Sequence, residues 1–330
     1  MKAYYLLLSL GGLILFAASC KTNANRTLPV SDAALYVPTF DADSAYHYVE
    51  AQTEFGPRVP NTEGHRACGN YLAEKLAAFG ATVTNQSVDL TTYDGKTLKA
   101  RNIIGSYNLQ TKKRVALFAH WDTRPWADKD TDPTKHRTPV LGANDGASGV
   151  GVLLEIARQI QRSAPTIGID IIFFDAEDGG VPEFEQNYPH SEEAWCLGSQ
   201  YWARNPHVSG YTARFGILLD MVGAFDSHFL REWYSEQYAK NINTKVWNAA
   251  RSLGYGRYFI NQKGGGVTDD HLFVNKLARI PTIDIVPTPT DQNQSFFAHW
   301  HTTNDTMANI DRSTLKAVGQ TVLQVIYSEK

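Results

Sequence analysis

An α/β fold built on a mainly parallel sheet is what the sequence predicts, and three observations predict it. Apolar runs of strand length (115–119, 169–174, 216–219 and 280–286) alternate with segments whose apolar residues recur at helical spacing. Hydrophobic residues make up 43% of the 330, enough for a large core, and no linker, internal repeat or low-complexity tract divides the chain after its N-terminus. Carboxylates and histidines stand at or just beyond the ends of the apolar runs. The expected organisation is a leader over 1–20, a tether over 21–39 and one domain over 40–330.

The elements follow in order. Residues 41–54 and 63–79 carry apolar side chains at helical spacing (Tyr71, Leu72, Leu76, Ala77), with Gly80 as the stop, and predict a leading helical layer. Residues 82–90 and 101–107 alternate like a hairpin closed by Asp94-Gly95. The continuous apolar run 115–119 reads as a buried strand. Residues 147–162 place Val150, Leu153, Leu154, Ala157 and Ile160 on one helical face, and the strand 169–174 follows. A long polar excursion over 179–193 has the character of a functional lid. Then come a helix at 198–203, a short buried strand at 216–219, a helix at 241–253 and a strand at 280–286 broken by Pro287 and Pro289. The last helix, 312–328, is capped by Asp311 and apolar at Leu315, Val318, Val322, Leu323 and Ile326.

Formal net charge is −3, and loss of Lys2 with the leader takes it to −4, so a nucleic-acid partner is not expected. Residues 1–20 join a short basic start to an apolar run that is too short to span a bilayer. The small residues Ala17-Ala18-Ser19 before Cys20 resemble a bacterial lipoprotein cleavage box, which implies export across the inner membrane and a lipid on Cys20 as the sole membrane contact, facing the periplasm. Ordinary cleavage with Cys20 incidental is the alternative. Cys68 and Cys196 then remain, either as one disulfide or as two small buried hydrophobes.

Acids and imidazoles beside a hydrophobic sheet are costly unless their charge is compensated, and a divalent cation held by Asp, Glu and His compensates it. His120-Trp121-Asp122 closes one run; residues two apart share a side, so Asp122 can orient the imidazole. Asp145 sits among small residues (Gly142-Ala143-Asn144-Asp145-Gly146), which lets the backbone turn tightly toward a cation, although a plain helix cap would use the same residue. Glu177-Asp178 places two acids past a hydrophobic strand, and their repulsion suggests a division in which Asp178 ligates and Glu177 exchanges protons. Asp220 and Asp269 are isolated acids fit for charge relay or for structure, and Trp300-His301 offers an imidazole with an aromatic wall. A zinc enzyme is the reading. The acidic stretch Asp128–Asp132 lacks the glycine and the closing glutamate of a calcium loop and is expected to be a solvated loop; Gly264-Gly265-Gly266 is expected to be a mobile turn.

The order His120-x-Asp122, Asp145, Glu177-Asp178, Asp220, His301 resembles the di-zinc aminopeptidase family and, within it, the glutaminyl cyclases of the animal type. Cys196-Leu197-Gly198-Ser199 and Thr268-Asp269-Asp270-His271 belong to the same resemblance, which runs from about residue 40 to the C-terminus. It implies a three-layer αβα domain with a central mixed, mostly parallel sheet of the zinc-exopeptidase kind. It also implies one zinc ligated by Asp145, Asp178 and His301, Glu177 as acid/base, Asp220 and Asp269 in a network beside it, and His120 with Asp122 as remnants of a second metal site. Trp300 before His301 looks like the cyclase branch, where it walls a pocket for an N-terminal glutamine; the partners would then be peptide or protein N-termini beginning with Gln. Animal cyclases show Glu-Glu where this chain has Glu177-Asp178, and carry a second pocket tryptophan soon after, which Trp195 would supply by folding back. The competing expectation is an aminopeptidase with two zinc ions, the second on His120 and Asp220 with Asp145 bridging. A lipid-tethered binding protein with a structural metal is a third, disfavoured because structural zinc sites are usually closed by Cys and His.

Overall fold

The structure, a computed structural model, describes Met1, residues 36–288 and residues 296–330. The rest of the leader, Cys20 included, and the tether up to Leu35 lie outside the described residues. Residues 36–330 form one compact unit.

A six-stranded sheet in the order β1-β2-β4-β3-β5-β8 forms the centre. β1 (Thr82–Thr91) and β2 (Thr97–Tyr107) are the hairpin, and β2 pairs antiparallel with β4 (Gly168–Phe174). β4, β3 (Arg114–His120), β5 (Phe215–Leu219) and β8 (Thr282–Ile285) run parallel. The period of two along these strands sorts the core. Val115, Leu117 and Ala119 enter the larger hydrophobic cluster while Ala116 and Phe118 enter another, and β4 divides likewise between Ile169, Ile171, Phe173 and Ile172, Phe174. Both faces are therefore covered, which is why the strands are apolar throughout rather than alternating.

One layer holds α1 (Ala42–Thr53), α3 (Ala147–Arg162), α5 (Trp233–Ser252) and α7 (Arg312–Ser328), with α2 (Glu63–Ala78) against the hairpin. The other holds α4 (Leu197–Arg204) and α6 (Asp270–Phe273). Asp41, Thr62 and Asp311 each accept hydrogen bonds from the first-turn N–H groups of α1, α2 and α7, a cap worth about 1 kcal/mol. α5 starts eight residues before the helix expected at 241, because Glu232 caps Tyr234 and Ser235. A backbone break at Ala239 hides the continuity from the periodicity. A small parallel pair, β6 (Phe229–Arg231) with β7 (Phe259–Lys263), was not expected. Cys68 and Cys196 are both free and buried, so the disulfide alternative does not hold in this structure.

Parallel strands end together, and here β3, β4 and β5 deliver His120, the 175–178 turn and Asp220 to one edge of the sheet. This is where open α/β sheets collect ligands.

Candidate active site and metal centre

Asp145, Asp178 and His301 offer ligand atoms that all lie within 4.8 Å of one another, and so do His120, Asp145 and Asp220. His301 Nε2 is 3.0 Å from Asp178 Oδ1 and 3.5 Å from Asp145 Oδ2. His120 Nε2 is 3.1 Å from both Asp145 Oδ1 and Asp220 Oδ1. Asp145 thus turns one oxygen to each group. It is not the cap of α3: the helix starts at Ala147, Gly146 stands before it, and no side chain caps it. Asp145 is held by its backbone instead, as Asp305 accepts from the N–H groups of Asn144 (2.8 Å) and Asp145 (3.0 Å). Asp145 Oδ2 and Asp178 Oδ2 are buried without hydrogen-bond partners, a costly state that a cation between them would relieve.

Asp122 faces His120, as expected, and has a second task. Its carboxylate accepts from the backbone N–H of Glu177 (3.1 Å) and Asp178 (3.2 Å), and lies 3.6 Å from His120 Nδ1, which has no hydrogen-bond partner. It fixes the acidic turn. Cys196 fixes the same turn from the other side: its N–H donates to Glu177 O (2.8 Å), its thiol donates to Glu177 Oε1 (3.3 Å), and Leu197 N–H donates to Ala176 O (2.9 Å). Four of the eight non-glycine residues with positive φ among the described residues stand here: Ala176, Cys196, Met221 and His301.

The electrostatics separate the acids. Burial drives the Glu177 carboxyl well above its ordinary range, and the charges of Asp178, Asp269 and Asp270 push the same way against His120. Asp220 is pushed up to about 8 by burial, with Asp269 and Asp145 reinforcing it against the hydrogen bond from His120. For Asp145 burial again raises the value, but His120 and His301 outweigh it and hold the group ionised. Burial opposes the charge on His120 too, yet Asp122, Asp145 and Asp220 raise it well above its ordinary value. Behind Asp269, burial and the Asp269 charge drive Asp270 and Asp284 far up, and His271 lies between Glu232 (3.1 Å) and Asp284 (3.4 Å). Acids held at separate values within one cleft suit proton-transfer chemistry.

A cavity of about 230 Å³ opens over these groups, with Glu177, Asp220, Asp269, Trp195 and Trp300 in its wall. Both indoles stack with the His301 ring, Trp300 at 4.0 Å and Trp195 at 6.2 Å between centroids. Trp195 reaches the cavity from the far end of the 179–193 excursion because Gly180 leaves room for it; a Cβ there would fall 2.0 Å from the indole. A larger groove of about 640 Å³ between α2 and the hairpin carries none of the candidate ligands.

Two sequence expectations need correcting. The 128–132 segment is solvated at Asp132 but not at its other two acids: Asp128 and Asp130 are 5% and 6% exposed. Asp128 pairs with Arg124, and Asp130 accepts from Thr303 N–H and Oγ1–H at 3.1 and 2.6 Å. Polar neighbours that face this loop from elsewhere in the chain, rather than water, satisfy the charge. The triple glycine is pinned, since Gly264 N–H donates to Arg231 O (2.8 Å) and Trp233 N–H to Gly265 O (3.0 Å). Sequence reasoning missed Asp305, Arg124 and the buried pair His65–Asp175, whose Nε2 and carboxylate are 2.9 Å apart below Trp121. Only the spacing of Arg124 and Asp128 hinted at any of them.

The model of peptidase family M28 matches residues 102–326. The chain is 26% identical over 283 residues to a glutaminyl-peptide cyclotransferase of Drosophila melanogaster, across 78% of this chain and 73% of that one. It is 66% identical, with a TM-score of 0.87, to the solved Bacteroides thetaiotaomicron glutaminyl cyclase bound to N-acetylhistamine, covering 89% of this chain and 100% of that one. A Bacteroides thetaiotaomicron structure described as a leucine aminopeptidase precursor is similar to the same degree, 66% identical with a TM-score of 0.87 across 90% of this chain and 100% of that one.

Proposed function

The chain belongs to peptidase family M28, and we propose that within it the chain is a zinc-dependent glutaminyl-peptide cyclotransferase, converting an N-terminal Gln of peptides or proteins to pyroglutamate with release of ammonia. The observation that carries the reading beside these likenesses is the cavity of about 230 Å³ whose two indoles, Trp300 and Trp195, stack with His301 over Glu177. Such a space suits one short side chain.

Asp145, Asp178 and His301 fit a zinc ion by donor type, by mutual distance and by the two unpartnered carboxylate oxygens. When bound, the ion supplies Lewis-acid polarisation of the Gln side-chain amide. The chain's own residues do the rest. The walls hold the Gln side chain folded over its own α-amine, so that orientation lowers the barrier. With the α-amine neutral, Glu177 takes one of its two protons as the nitrogen pair bonds to the amide carbon, and delivers that proton to the amide nitrogen, which leaves as ammonia when its bond to carbon breaks. Asp220 and Asp269 face the same space, and Asp220, raised to about 8, holds a proton at neutral pH with which to bridge the substrate nitrogens.

The test is incubation with a Gln-initiated and a Leu-initiated peptide, following ammonia and free amino acid, with zinc per chain measured on the same sample. Ammonia from the Gln peptide, an intact Leu peptide and about one zinc are expected; free leucine with the His120, Asp145, Asp220 group also filled would make the protein an aminopeptidase. We also propose export and anchorage by a lipid on Cys20, which rests on the leader sequence alone. Among the described residues no helix is long and apolar enough to cross a membrane. Incorporation of labelled fatty acid, lost in Cys20→Ala, tests the anchor.

A further inference from the structure

Arg124 and Asp128 lie outside the cavity, and none of the roles above uses them. They are 1% and 5% exposed, in the loop after β3. The guanidinium spends its donors in three directions. Nε and Nη2 go to Asp128 at 3.2 and 2.7 Å. Nη1 goes to the carbonyl of Asp178 at 3.0 Å and to that of Gly180 at 2.9 Å. Its plane lies over the Trp195 ring at 4.6 Å and the Trp126 ring at 5.2 Å.

Asp128 carries the connection onward. Its Oδ1 lies 3.7 Å from His301 Nδ1, and Oδ2 also accepts from Glu183 N–H at 3.0 Å. The next backbone N–H, of Lys129, donates to His301 O at 3.1 Å. One buried ion pair therefore touches the turn that bears Asp178, the segment that bears His301 and the indole that walls the cavity.

We propose that Arg124, with Asp128, is a positioning pair that couples the indole wall of the pocket to the metal-binding residues Asp178 and His301. The part that concerns the pocket rests on the cyclase reading; the part that concerns the ligands does not. A planar fork is needed for this. Lysine keeps the charge but cannot make two carbonyl bonds, a bidentate carboxylate pair and a stack at once. A buried ion pair is also weak support for stability, so a role in orientation accounts for it better than one in holding the fold.

The experiment compares full-length, zinc-loaded wild type with Arg124→Lys and Asp128→Asn. Zinc release into a competing chelator, kcat and KM on a Gln-initiated peptide, and thermal melting are read on each. Zinc affinity is expected to fall roughly 10–100-fold in both variants. KM is expected to rise in Arg124→Lys more than in Asp128→Asn, because only the former loses the stack on Trp195. If Arg124→Lys does not fold, Asp128→Asn carries the test alone, since it keeps the side-chain shape and removes only the charge. Zinc affinity within twofold of wild type in Asp128→Asn would overturn the proposal, as would lowered melting with zinc affinity and KM unmoved, which is what a merely structural pair would give. A wild-type protein without cyclase activity, whose variants still lose zinc, would instead sink the functional reading and leave the coupling standing.

Discussion

Replacing Glu177 by Gln removes one proton-accepting oxygen and little else. The amide keeps the volume, and its Oε1 still accepts from the Cys196 thiol, now 3.3 Å away. The change also removes a carboxyl that Asp178, Asp269 and Asp270 repel, so the fold has no reason to weaken. Glu177 is not among the Asp145, Asp178 and His301 group, so zinc content is expected to stay as in wild type. What is lost is proton transfer, in general worth about 100- to 10,000-fold, or roughly 3–5 kcal/mol of barrier at 1.36 kcal/mol per tenfold. The assay is ammonia release from a saturating Gln-initiated peptide, followed across pH. In wild type kcat should fall as pH drops through the raised value of Glu177; the variant should lose both the rate and that acid limb. A kcat within about tenfold of wild type, at unchanged zinc and unchanged melting, would remove Glu177 from the proton path.

Three further outcomes are expected. Chelation should abolish activity and leave an apoprotein that weakens as pH rises. Asp220 and Asp305, raised by burial from 3.8 to about 8 and about 7, contribute stability that is present below pH 3.8 and lost through those higher values. Melting of the apoprotein that rises between pH 5 and 9 would contradict this. Phe118→Ala deletes a fully buried ring that stacks on Phe174 at 5.2 Å and meets Trp202 at 5.8 Å, and should cost about 3–5 kcal/mol in a urea titration. Gly198→Ala would set a Cβ 2.0 Å from Asp175 O, costing roughly 1–3 kcal/mol of stability by overpacking and lowering kcat through the adjoining Glu177 turn; unchanged kinetics would show the turn to be independent of that contact.

Much of this architecture was legible because it is local. The strands β3, β4 and β5 announce themselves as apolar runs, and the acids that end them stay at the sheet edge wherever the loops go. Trp195 was less legible, since only the empty space at Gly180 draws it back to the cavity. Asp128 was misread because a run of alternating acids looks solvated until Arg124 and Thr303, the latter 173 residues distant from Asp130, are brought against it. Asp305 left no trace, because its task is to receive two backbone N–H groups, and any acid loop residue looks alike in sequence. α5 was cut short because its first two turns begin Trp233-Tyr234 and break at Ala239, a poor helical pattern redeemed by the Glu232 cap.

The left-handed backbone at Ala176, Cys196, Met221 and His301 has a practical consequence. Side chains are disfavoured there and glycine is not, yet all four residues are buried, so at Cys196, Met221 and His301 glycine would exchange the strain for a cavity that costs about as much or more. A screen that rewards heat resistance alone therefore has no easy route to relax the backbone that aims the reacting groups. An engineer seeking a robust catalyst should hold these four constant and look to the exposed positions of α1 and α2, leaving untouched the buried His65, which reaches Asp175 beside the acidic turn, and Gln52, which donates to Ala147 O.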